Sequence, residues 1–100
     1  MRFLFDAAAY PALGQLLGSK HDELRREAAF ALTVGGAEAN EPALVVALGD
    51  AQKDVRYFAA VALGGLKTAG AVKAVEERAK VETEFTVKDA LQQAMAKQKR

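Results

Sequence analysis

The side chains able to do covalent or acid–base chemistry are few, and their spacing suits none of the common mechanisms. The chain has one serine (Ser19), one histidine (His21) and no cysteine. Two residues apart in one turn, Ser19 and His21 cannot take up nucleophile–base geometry without a special loop. They read instead as a helix cap and a solvated imidazole. A zinc centre needs several His or Cys ligands and fails on count. Two carboxylate pairs remain, Glu76/Glu77 and Glu82/Glu84. Adjacent residues on a helix point about 100° apart, so Glu76 and Glu77 are poorly placed to share a proton. Glu82 and Glu84 fall in a polar turn before the last helix and read as solvated. Gly35-Gly36 and Gly64-Gly65 follow helical stretches instead of opening them, so they read as helix stops and not as a phosphate cradle. No catalytic, cofactor-binding or metal-binding residue is expected.

Charge and composition narrow the partners. Fourteen basic and thirteen acidic side chains give a net charge of +1, too little field to draw in nucleic acid or an anionic membrane. The cluster Lys97-Gln98-Lys99-Arg100 suits a frayed, solvated helix end, where cations complement the dipole. No apolar run approaches the roughly 20 residues a membrane helix needs. Met1–Phe5 is too short an apolar start for a signal peptide, and the lack of cysteine excludes disulfides. A cytoplasmic protein is expected. Alanine dominates an apolar fraction of 51% while aromatics make up 7%, a mix that favours close-packed helices over a sandwich or barrel.

The elements that must position these residues are set by an internal repeat. Residues 11–40 laid over 42–71 give ten identities without a gap: Pro11/Pro42, Ala12/Ala43, Leu13/Leu44, Leu17/Leu48, Gly18/Gly49, Arg25/Arg56, Ala28/Ala59, Ala29/Ala60, Ala31/Ala62 and Leu32/Leu63. The proline, leucine, glycine and arginine matches carry more weight than alanine on alanine in an alanine-rich chain. An eroded third copy follows, with Ala74-Val75 answering Ala43-Leu44. After one extra residue, Val87-Lys88 answers Val55-Arg56. The expected repeats lie near residues 10–40, 41–71 and 72–97 of a single domain spanning 1–100, with 1–9 as a cap or the remnant of an earlier repeat.

Each repeat reads as two helices. The first opens at a proline, whose missing N–H is not needed there. Leu44, Ala47 and Leu48 then share one face, as do Leu13, Leu16 and Leu17. The second carries Val55, Phe58, Ala59, Ala62 and Leu63 at i, i+3, i+4, i+7 and i+8. Asn40 or Glu41 should cap the first helix of repeat two. Ser19 with Asp22, and Thr86 with Asp89, resemble capping boxes for second helices. Helices are expected near 9–18, 21–34, 41–49, 53–65, 71–80 and 86–97. Opposite the apolar stripe lie Arg26, Phe30 and Thr33, then Tyr57, Val61 and Gly64, then Asp89 and Gln93. Phe30, Tyr57 and Val61 are less polar than a bare solvent face needs, and aromatics beside arginine have the composition of interface anchors. The plainer reading is that Phe30 and Val61 pack between repeats.

Pro42-Ala-Leu-Val-Val-Ala-Leu-Gly-Asp, followed by Asp54-Val-Arg-Tyr-Phe-Ala-Ala-Val-Ala-Leu-Gly64, resembles the HEAT repeat, and within it the short subtype of phycobilisome-lyase-like proteins. The resemblance spans roughly residues 10–96. Repeat one departs from it at Glu27 and Thr33, and repeat three lacks the proline and the closing glycine. It implies an all-α fold, a short right-handed solenoid of stacked antiparallel helix pairs. It also implies that the second-helix stripes line a concave surface, and that Arg25 and Arg56 pair with acids of neighbouring turns, for which Asp22, Asp50 and Asp54 are the candidates. The expected function is a non-catalytic protein-interaction or scaffold module, with Arg26, Phe30, Tyr57, Val61, Asp89 and Gln93 as candidate partner-binding residues and no cofactor. Two alternatives are an accessory subunit for a bilin or other bulky ligand, by family analogy alone, and a weak nucleic-acid binder. Phe3, Leu4 and Phe5 are expected to cover the side of repeat one or to meet a second copy of the chain.

Overall fold

The computed structural model describes residues 7–100; the expectation for Phe3, Leu4 and Phe5 lies outside them. Within that range all of the regular structure is helical. A 3-10 turn at Ala7–Ala9 leads into α1 (Tyr10–Leu16), followed by α2 (Asp22–Val34), α3 (Glu41–Ala47), α4 (Lys53–Gly64), α5 (Ala69–Val81) and α6 (Phe85–Gln98). The expected helices are all present, each within two residues of the expected ends. α1 and α3 carry their prolines in the first turn. α5 starts earlier than expected because Thr68 caps it, its hydroxyl accepting from the Ala71 N–H at 3.1 Å.

The helices form two layers of a short solenoid. The second helices α2, α4 and α6 pack side by side as a spine, and α1, α3 and α5 lie against it. Small residues make the spine tight. Ala28, Ala29, Ala59 and Ala60 are at most 1% exposed, and alanine lets helix axes approach closely. At Gly64 even a methyl group would intrude, because an added Cβ would stand 2.9 Å from the Ala94 Cβ and 3.0 Å from its Cα. Gly64 is therefore a packing residue as well as a helix stop. The largest fully buried side chains are Leu32, Leu44, Leu63, Leu91, Val55, Val75 and Val87. The position of Ala29 and Ala60 is taken in α6 by Gln92, which is exposed.

Charged side chains stitch the layers in a repeating pattern. Arg25 of α2 reaches Asp50 at the end of the next first helix, with Nε donating to Oδ1 at 2.9 Å. It also donates to Asp22 and to the Ser19 carbonyl, each at 2.8 Å. One repeat on, Arg56 of α4 grips Glu82 with two bonds of 2.9 and 3.1 Å and donates to the Asp50 carbonyl at 2.8 Å. Arg78 adds a third bond to Glu82 at 3.0 Å. The carboxylates also order the helix that follows. Asp50 accepts from the Gln52 N–H at 2.9 Å and Glu82 from the Glu84 N–H at 3.0 Å, where Gln52 and Glu84 are the N-cap residues of α4 and α6. Ser19 accepts from the His21 N–H at 3.1 Å in the same way ahead of α2.

Ser19 and Thr86 are not N-caps: His21 and Glu84 hold those positions, and Ser19 works one turn earlier while Thr86 lies inside α6. Asn40 sits at the N-cap of α3 without a capping bond. Its amide instead donates to the carbonyls of Tyr10 and Gly36, at 2.9 and 3.0 Å, tying α1 to the turn before α3. Glu82 is not solvated; its side chain is fully inaccessible. Burial alone would raise its pKa, but Arg56, the Glu84 N–H and Arg78 outweigh that and hold it at about 2. Gln98 is not frayed either: it is buried and donates to the Leu63 carbonyl at 3.0 Å, satisfying an end of α4.

Candidate functional site

Consecutive residues on α2 and α4 divide two roles. Arg25 and Arg56 turn into the ladder, while their neighbours Arg26 and Tyr57 turn about 100° away. On that other face, Arg26, Glu27, Phe30, Asp54, Tyr57, Phe58 and Thr86 line a cavity of about 540 Å³. Tyr57 also opens a second, smaller cavity of about 230 Å³, where it meets Val61, Gly64, Asp89, Gln93, Lys97 and Arg100 among others. The six residues singled out from the stripe thus line two adjoining hollows that share Tyr57. Asp89 and Gln93 hold each other through a bond of 2.9 Å from the Gln93 amide.

Aromatic rings bridge the repeats. Phe30 of α2 meets Phe58 of α4 edge-on with centroids 5.3 Å apart, and Tyr57 meets Phe58 at 5.4 Å. Phe30 remains 56% exposed and Tyr57 39%. Phe30 therefore does both things considered for it, packing between repeats while keeping most of its surface open. Val61 is half-buried and packs against the core. Phe58, expected in the core stripe, packs against the core but is only half-buried and also lines the larger cavity. The signal was its repeat partner: a position holding Glu27 in one repeat and Phe58 in the next does not behave as core.

The electrostatics of the hollow differ from the rest of the spine. Arg25, Asp50, Arg56, Arg78 and Glu82 are all engaged in ion pairs. Arg26, Glu27 and Asp54 form none among the described residues. Asp22 and Asp50 do pair with Arg25, but the third expected acid, Asp54, faces the hollow instead. Among the described residues no group of three or more His, Cys, Asp or Glu side chains is placed to hold a metal ion, and no helix is long and apolar enough to cross a membrane.

A family model for HEAT repeats matches residues 10–96, the span over which the helix pairs stack. The chain belongs to the HEAT-repeat family. No curated protein matches it. HEAT repeats generally serve protein–protein interaction or scaffolding and are typically non-catalytic. In this HEAT array the paired arginines belong to the framework, and the hollows on the α2–α4–α6 face are what the framework holds open.

Proposed function

We propose that this HEAT array is a non-catalytic docking module whose protein partner seats along the face of α2, α4 and α6, on Arg26, Phe30, Tyr57, Val61, Asp89 and Gln93. One observation supports the reading: exposed rings and unpaired charges gather in the larger of two adjoining hollows, in a chain whose framework charges are paired. Aromatics and arginine in a partly enclosed depression are the usual anchors of protein interfaces. The spine beneath is closely packed and helical, so a partner would meet a preformed surface with little backbone left to order, which favours affinity.

The test is affinity capture with the wild-type chain and the double variant Arg26→Glu/Tyr57→Ala, followed by mass spectrometry and direct titration of any purified protein that differs. A protein held by the wild type and lost by at least tenfold in affinity from the folded variant is expected. Identical capture by both proteins would remove this face from consideration.

A further inference from the structure

The larger hollow carries chemistry that selects among protein partners. Its walls hold three rings, Phe30, Tyr57 and Phe58, together with two carboxylates, Glu27 and Asp54, and one cation, Arg26. Glu27 and Asp54 are exposed and make no ion pair among the described residues. A purely apolar plug resting on the rings would strip water from both carboxylates without replacing it, which is costly. An anionic plug would meet two like charges against one opposite charge. A cation gains on both counts, attracted by the ring faces and paired by the carboxylates. Arginine fits best among natural side chains, because its flat and weakly hydrated guanidinium stacks on rings while its fork of donors engages carboxylates. The volume of about 540 Å³ leaves room for that side chain and the backbone around it.

We infer that the hollow between α2 and α4 receives an arginine side chain from the partner protein, packed against the Phe30 and Tyr57 rings and paired with Glu27 and Asp54. Arg26 at the same wall then meets a backbone carbonyl or an acidic side chain flanking that arginine. This inference rests on the docking role proposed for the face and adds the chemistry of the segment that docks.

The experiment uses the whole chain and three fluorescein-labelled peptides of about twelve residues. Their leucine and phenylalanine positions are identical, and the remaining positions are all arginine, all glutamine or all glutamate. Fluorescence anisotropy is read at low and at moderate salt. The arginine peptide is expected to bind about tenfold or more tighter than the glutamine peptide, and to weaken as salt rises. Asp54→Asn and Glu27→Gln should each reduce that preference by about three- to tenfold, and Phe30→Ala should lower arginine-peptide affinity while circular dichroism stays unchanged. Tighter binding of the glutamate or glutamine peptide that is still lost in Tyr57→Ala would overturn the arginine assignment and leave the docking face standing. A preference for arginine that survives Asp54→Asn and Glu27→Gln would also overturn it. Failure of all three peptides to bind at about millimolar concentration would overturn both readings.

Discussion

Residues 25 and 26 are neighbours, both are arginine, and they belong to different parts of the molecule. Arg25 is the start of a ladder that recurs one repeat on as Arg56, with the same partners: a carboxylate across the repeat boundary and a carbonyl six residues back. Arg26 faces a hollow, and its counterpart one repeat on is Tyr57. The same holds for Glu27 and Phe58, and for Phe30 and Val61. Positions that hold the array together are repeated because each repeat must solve the same packing problem. Positions on the open face are free to differ, and there they do. Repetition within one chain thus separates framework from surface without any related sequence.

The comparison breaks hardest at Glu82. Its carboxylate is fully inaccessible and pairs with both Arg56 and Arg78 while ordering the start of α6. Glu82→Gln leaves those arginines, whose side chains are 11% and 27% exposed, without their charge partner, and the loss should fall at the low end of about 3–5 kcal/mol. Urea unfolding at neutral pH should record a loss of that size. Asp50→Asn, at a rung whose side chains are 13–14% exposed, should cost less, about 1–3 kcal/mol. Ser19→Ala, the neutral member of the series, loses one exposed hydrogen bond and should cost about 0.5–1 kcal/mol. Equal losses at all three positions would mean that the ladder does not act through charge.

The same carboxylate sets an acid transition. Glu82 is held at about 2 in the folded chain against an ordinary 4.5. Between those values the unfolded chain binds the proton and the folded chain does not, so stability rises with pH. The contribution is complete above the ordinary carboxylate range and disappears as pH falls toward about 2. Unfolding free energy measured from pH 6 to pH 2 should decline in the wild type, with a distinctly shallower slope in Glu82→Gln. Parallel slopes would show that other carboxylates dominate.

A third test lies where the spine is tightest. Gly64→Ala places a methyl group against Ala94, and forcing packed helices apart costs about 1–3 kcal/mol. That exceeds the gain of about 1 kcal/mol from the better helix former over all but the bottom of the range. A net loss of about 1 kcal/mol in thermal or urea unfolding is expected. At the equivalent place in repeat one, Thr33 already carries a branched side chain whose hydroxyl donates to the Phe30 carbonyl at 2.6 Å. The second helices of repeats two and three are therefore closer-fitted than the residue types alone suggest.

These contrasts explain what the sequence could and could not convey. Helix positions were legible because proline, glycine and apolar spacing act locally. The satisfaction of Glu82 by three partners was not, because Glu82-Thr83-Glu84 has the composition of an exposed turn and its arginines are 26 and 4 residues away. A clue was present in the 32-residue offset from Asp50, which repeats the carboxylate at the same place relative to the next helix. The capping readings of Ser19 and Thr86 failed because a serine or threonine near a helix start has several local bonds to choose from. The stripe of Arg26, Phe30, Tyr57, Val61, Asp89 and Gln93 was legible as a face, but its division into two hollows and the part played by Phe58 depend on how far α2, α4 and α6 stand apart.

The smallest expected effect is the sharpest statement of the contrast. Arg26→Glu and Tyr57→Ala remove side chains of the open face and leave every ladder bond in place. Tyr57 gives up one edge-on contact with Phe58, worth about 0.5–1.5 kcal/mol at most beyond the area it covers. Arg26 gives up no ion pair among the described residues. Arg26→Glu should therefore change the urea midpoint by no more than about 0.5 kcal/mol equivalent, and Tyr57→Ala by about 1 kcal/mol, with unchanged dependence on denaturant. Set beside Arg25→Ala, one residue away, which strands the Asp50 carboxylate, the difference should exceed about 1.5 kcal/mol. If Arg26 proved as costly to replace as Arg25, its side chain would have to belong to the framework, and a face that the framework needs for itself is a poor place for a partner to dock.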